Sequence, residues 1–155
     1  MIQVEHIIKS FDGTQVLKGI STVFEKGKTN LIIGQSGSGK TVFLKCLLGL
    51  FQTDSGKILF ENKAISEMTV NERSVLRQEI GMVFQGSALF DSMTVEENIM
   101  FPMQMFTDKE NDEIRDRANE VIKRVNLINA NEKFPDEISG GMKKRVAIAR
   151  AIVMN

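Results

Sequence analysis

Eight consecutive residues, Gly34-Gln35-Ser36-Gly37-Ser38-Gly39-Lys40-Thr41, bring together the groups needed to hold a polyphosphate. They match the phosphate-loop pattern G-x-x-x-x-G-K-[ST]. Glycines allow the backbone to curl so that successive N–H groups converge on anionic oxygens. A helix predicted to begin near Lys40 adds the positive end of its dipole. Lys40 supplies a point charge for the terminal phosphates. The Thr41 hydroxyl suits a Mg²⁺ ion that keeps most of its own water. The bland alternative is a flexible Gly/Ser turn with a lysine beside it. The apolar run before this segment and the helical stripe after it count against that alternative.

A second candidate anion site lies far downstream, at Ile138-Ser139-Gly140-Gly141-Met142-Lys143-Lys144-Arg145. Ser139 offers a hydroxyl, Gly140 and Gly141 expose backbone N–H groups, and the segment reads as a helix start. Taken alone, it is equally an ordinary Gly-Gly helix entry. Its position after a phosphate loop is what raises the functional reading.

The elements that must position these residues can be read from periodicity. Residues 2–8 and 16–24 read as strands joined through a turn at Asp12-Gly13. Residues 29–33 form a short apolar run ending at Gly34, the pattern of a buried strand. Residues 40–50 read as a helix with Phe43, Leu44, Leu47 and Leu48 on one stripe. Residues 56–60 and 80–84 return to strand. Thr69/Glu72, Thr94/Glu97 and Thr107/Glu110 each have capping-box spacing and predict three helix starts. The last of these leads into a stripe of Ile114, Ala118, Val121, Ile122 and Val125. Met100, Met103 and Met105 are expected to be mainly core, with a partner groove as the alternative. A final helix presents Met142, Val146, Ala149 and Val153.

Composition narrows the classes. The 155 residues carry 20 Lys+Arg against 20 Asp+Glu, which argues against a general nucleic-acid binder. A single cysteine, Cys46, excludes an internal disulfide, and its expected role is that of a small buried hydrophobe. The N-terminus lacks the apolar core of a signal peptide, and no run approaches the ~20 apolar residues of a membrane span. Any membrane role is therefore expected to come through a partner.

The phosphate loop followed by Ser139-Gly140-Gly141 resembles the ABC ATPases, whose LSGGQ-like signature opens a helix. The resemblance covers the chain from Val4 to its end. It implies an α/β fold: a P-loop NTPase core with an N-terminal antiparallel β-subdomain (1–85) and an α-helical subdomain carrying the signature (86–155), the sheet being incomplete. It implies ATP and Mg²⁺ as ligands. Phe11 lies where the family places an aromatic that stacks on adenine. Gln85 matches the Q-loop glutamine, which contacts Mg²⁺ and the attacking water; Lys40 and Gln85 are the catalytic candidates, and Thr41 and Gln85 the metal candidates. The family works as a head-to-tail dimer, so Ser139, Gly140 and Gly141 are expected to meet ATP on a second copy. Integral-membrane permease subunits are the other implied partners. They would hold the chain on the cytoplasmic face of the plasma membrane, with residues 86–101 facing them through Phe90, Met93, Ile99, Phe101, Glu96 and Glu97.

A narrower similarity exists to the ATPases of Mla-type bacterial phospholipid transporters. It rests on Met142 in the signature and on Leu89-Phe90-Asp91-Ser92-Met93-Thr94-Val95-Glu96-Glu97-Asn98-Ile99. The family pattern continues with a Walker B strand ending in Asp-Glu, a D-loop and a switch histidine, none of which occurs in residues 1–155. The only histidine, His6, lies in the first strand, and Asp136 and Glu137 are expected to be solvated loop charges. A non-hydrolytic nucleotide-binding fragment is therefore one alternative. A non-transporter ABC ATPase is another, disfavoured by the absence of a heptad run between loop and signature.

Overall fold

Asp12 and Gly13 both adopt positive φ (47° and 78°), the geometry of a two-residue hairpin turn whose twist matches its strands. They join β1 (Ile2–Phe11) to β2 (Thr14–Phe24), with Phe11 paired to Thr14. The same device recurs at Glu61-Asn62, between β3 (Ser55–Phe60) and β4 (Lys63–Ala64). The computed structural model describes all residues, 1–155, and these four strands form one antiparallel sheet in the order β2-β1-β3-β4. Val4, Ile7, Leu17 and Ile58 form its buried face.

Helix α1 (Lys40–Leu47) follows the phosphate loop and buries Phe43, Cys46 and Leu47, whereas Leu44 is 40% exposed. Burial also pushes the Cys46 thiol above its ordinary pKa, so the thiol is packing, as expected. Helix α2 (Val70–Glu79) starts with the anticipated capping box: the Glu72 N–H donates to Thr69 Oγ1, and the Thr69 N–H donates to Glu72 Oε2. Arg77 donates to the Leu48 and Gly49 carbonyls, closing the open end of α1.

Residues 1–77 and 78–155 are two compact units, Met1–Arg77 and Gln78–Asn155. In the second, α3 (Val95–Phe106), α4 (Asn111–Arg124) and α5 (Gly140–Ile152) bury one shared apolar core. Val95, Ile99, Met103, Ala118, Val121, Val146 and Ala149 are its centre. Thr94 and Glu97 cap α3 reciprocally, as their spacing predicted. No helix is long and apolar enough to cross a membrane.

Three expectations are corrected. Residues 29–33 and 80–84 take no regular secondary structure and pair with no other segment, so neither is a strand. A strand exists only where a neighbour closes its ladder, and no segment of this chain does so. The apolar residues of a buried parallel strand are consequently uncovered: Leu31 is 84% and Ile33 81% exposed. Thr107 does not open a helix. Its hydroxyl donates to the Met103 carbonyl and ends α3, while Glu110 precedes α4 without a side-chain cap. Met100 and Met103 are core, but Met105 is 59% exposed.

Candidate functional site

The phosphate loop is curled as its composition requires. Gly37 and Gly39 sit at positive φ (79° and 92°). A side chain at Gly39 would press on Val16 from β2, whereas one at Gly37 would project into open space, the side left free for a ligand. The Ser38 N–H donates to the Gln35 carbonyl (3.2 Å), and the Phe43 N–H donates to the Gly39 carbonyl (2.8 Å). The N–H groups of Gly37, Gly39, Lys40 and Thr41 donate to nothing within the protein. These are donors of a loop and a helix start, which an anion satisfies. A cleft of about 410 Å³ borders the loop, lined in part by Leu31, Ile33, Ser38, Gly39 and Lys40.

Lys40 is half-buried, and its ammonium donates to the loop's own carbonyls, Gly34 (2.8 Å) and Gln35 (2.7 Å). The charge is thus drawn over the loop and held only by neutral acceptors, which anionic oxygens outcompete. Ser36 and Thr41 are exposed. No cluster of three or more His, Cys, Asp or Glu side chains is positioned to hold a metal. That donor set fits a hard cation bound through one hydroxyl, ligand phosphates and water, as Mg²⁺ is in nucleotide sites.

Phe11 ends β1 and is 38% exposed. Phe51 meets it edge-on, with centroids 5.4 Å apart, and the Lys9 ammonium lies 5.2 Å from its centroid. Lys9 is fixed in turn by Asp54 (2.8 Å), which also accepts from the Ser10 N–H (2.6 Å). These contacts hold the Asp54 carboxyl below its ordinary pKa. Sequence reasoning offered Phe11 but not Lys9 or Phe51, the second of which only the folded chain brings against it.

In the second unit, Ser139 caps α5: its Oγ accepts from the Met142 N–H (3.3 Å). Gly140 and Gly141 are exposed, with only Ser139 Oγ at the rim of contact, so the helix start is open. Gln85 is exposed at a turn, and the next three residues, Gly86, Ser87 and Ala88, all have positive φ (81°, 69° and 45°). Ser87 and Ala88 carry a Cβ, so this geometry costs each of them on the order of 1 kcal/mol. Glu137 accepts from the Phe134 N–H (2.7 Å) and so stabilises a 3₁₀ turn, Pro135–Glu137; it is not simply a solvated loop charge. His6 is an exposed residue of β1, as read.

Of the segment 86–101, Phe90 is 41% exposed and packs at a tilt against half-buried Phe101, with centroids 4.8 Å apart and ring planes at 56°. Ile99 is fully buried and cannot face a partner. Glu96 accepts from Asn119 and Asn131 in a half-buried polar cluster. Glu97 is exposed but is committed to the α3 cap.

Residues 17–155 match the family model described as "ABC transporter". The "Arginine transport ATP-binding protein ArtM" of Bacillus subtilis is 41% identical over the whole chain, which spans 64% of that protein. The "Probable ribonucleotide transport ATP-binding protein mkl" of Mycobacterium leprae is 39% identical over 99% of the chain and 44% of its own length. The chain spans about half the length of such relatives. Among solved structures, the dimeric post-hydrolysis state of the ATP-binding cassette MJ0796 bound to ADP and Pi superposes with a TM-score of 0.90. Its identity is 29%, covering 100% of this chain and 70% of that one. The cbiO1 structure from Clostridium perfringens, described as part of the ABC transporter complex cbiONQ, gives 0.86 at 35% identity, covering 99% of this chain and 61% of that one. With the family match extending over most of its length, the chain belongs to the ABC transporter family, as an ATP-binding domain.

Proposed function

We propose that this chain is part of an ATP-driven motor subunit that couples ATP binding and hydrolysis to movement of a cargo across or between membranes. The observation that carries this reading is the phosphate loop: the N–H groups of Gly37, Gly39, Lys40 and Thr41 are unengaged, and the Lys40 ammonium is held only by carbonyl groups. Lys40 and the loop amides would bind the phosphates of ATP, and Phe11 would stack on the base. Thr41 and Gln85 would hold Mg²⁺, which when bound neutralises phosphate charge. Gln85 would also orient the attacking water; as an amide it is no base near neutral pH.

The open start of α5 at Ser139, Gly140 and Gly141 fits the γ-phosphate end of a nucleotide on a second copy, in a head-to-tail pair about a two-fold axis. MJ0796 is described as dimeric and cbiO1 as part of a transporter complex, in keeping with this assembly. Membrane permease subunits would then hold the protein at the cytoplasmic face. Phe90, Met93 and Phe101 are the residues of segment 86–101 left to meet them. The finer phospholipid reading rests on Met142 and the 89–99 segment, whereas the relatives' names refer to ribonucleotide, arginine and methionine. Site-directed crosslinking in the assembled transporter tests the partner assignment. Crosslinks from positions 90, 93 and 101 to the permease are expected, and crosslinks from elsewhere alone would remove the coupling role.

A further inference from the structure

Arg150, near the end of α5, is half-buried, yet no carboxylate pairs with it. Its Nη2 donates to the carbonyls of Ser87 (3.1 Å) and Ala88 (2.8 Å), two of the residues held at positive φ. Its Nη1 reaches Asn98 Oδ1 (3.4 Å), and its guanidinium carbon lies 5.6 Å from the Phe90 ring centre. Burial lowers its pKa from the ordinary arginine value. A cation left among neutral acceptors gives up hydration without an ion pair in return. Fold stability alone is a weak reason to place one there.

The next residue of α5 holds the same stretch of chain at a second point. The Ala151 carbonyl packs so closely on Gly81 that a Cβ at position 81 would overlap it. Gln85 is thus bracketed: Gly81 lies against α5 before it, and Ser87 and Ala88 are bonded to α5 after it. Asn98, fully buried on α3, completes the hold. It accepts from the Phe90 N–H (2.9 Å) and donates to the carbonyls of Phe90, Met93 and Thr94 (each 3.0 Å). Between these holds, Gln85 and its turn neighbours Phe84 and Gly86 are exposed.

We propose that Arg150 is a positioning residue that locks the segment carrying Gln85 to the signature helix, so that a displacement of one is passed to the other. Arg150 sits eleven residues along a continuous helix from Ser139, roughly 16 Å at 1.5 Å per residue. A shift of Ser87 and Ala88, next to the proposed permease-facing Phe90, therefore moves the open end of α5 as a rigid lever. This inference rests on the motor reading given above.

The test uses the complete ATPase assembled with its permease, with Mg-ATP as probe, and compares Arg150→Met and Arg150→Lys with the unaltered protein. Arg150→Met is expected to leave the KM for ATP within about twofold while lowering kcat about tenfold, since only the link is lost. Amide exchange at residues 86–90 should accelerate about tenfold or more in the same variant. Arg150→Lys keeps the charge without the fork and should recover part of kcat. Faster exchange with unchanged kcat would overturn the proposal, leaving Arg150 a structural staple; so would a joint loss of KM and kcat. If Arg150→Met does not fold, Arg150→Lys decides: reduced kcat at unchanged KM supports the link, and full kcat overturns it. Absence of Mg-ATP turnover in the unaltered assembly would sink the motor reading itself, and this inference with it.

Discussion

Replacing Lys40 by alanine removes the only side-chain cation in the phosphate loop. Its effect is smaller than the full strength of an ammonium–phosphate contact, and the structure shows why. Without nucleotide, the ammonium already donates to the Gly34 and Gln35 carbonyls at 2.8 and 2.7 Å. Binding exchanges two bonds to neutral acceptors for bonds to anionic ones, and charge-assisted bonds are roughly twice as strong. Taking ~1–1.5 kcal/mol of gain per exchanged bond gives about 2–3 kcal/mol, or roughly a 30–150-fold loss of affinity. The assay is isothermal titration of Mg-ATP into both proteins, with thermal melting to confirm that both are folded. The Ser38 N–H bond to Gln35 and the Phe43 N–H bond to Gly39 do not involve the lysine side chain, so the loop should persist. Affinities within twofold of each other would refute the reasoning and place the phosphates elsewhere.

Phe11→Ala should weaken ATP binding by the ~1–3 kcal/mol typical of a base on an aromatic face, and leave inorganic triphosphate unaffected; equal losses for both ligands would remove the stacking role. Lys63 first, and then the Thr69 N–H, lower the Glu72 pKa from 4.5 to about 2. Its folded pKa lies below its unfolded one, so its contribution to stability is complete above about pH 4.5. That contribution is lost as pH falls towards 2, because the unfolded state takes up the proton first. Urea titrations from pH 6 to 2 should therefore show a shallower acid decline for Glu72→Gln than for the unaltered chain. The 155-residue chain by itself should release phosphate from ATP no faster than its Lys40→Ala variant, since no carboxylate follows α5 to act as base. Turnover above that control would point to a base elsewhere in residues 1–155. The same chain should self-associate in sedimentation or light-scattering measurements, because Leu31 and Ile33 lie open to solvent.

What could be read from the sequence was local. The phosphate loop, the Asp12-Gly13 turn, and the Thr69/Glu72 and Thr94/Glu97 caps each depend on neighbours within a few residues. Their chemistry survives being read in one dimension. The Thr107/Glu110 pair shows the limit of such reading: a threonine hydroxyl caps a helix start, or donates back to the preceding turn, as it does here to Met103. Asn98 and Arg150 carried a faint signal, as polar residues on the apolar stripes of Val95, Ile99 and Met103 and of Val146, Ala149 and Val153. Asn98 bonds Phe90, 8 residues back, but the Arg150 partners Ser87 and Ala88 lie 63 and 62 residues away, and only tertiary packing brings them within reach. Residues 29–33 and 80–84 make the same point from the other side. Their composition encodes burial, but a strand is a relation between two segments. Sequence could specify the need for a partner, and only the tertiary arrangement shows that, within these 155 residues, none is there.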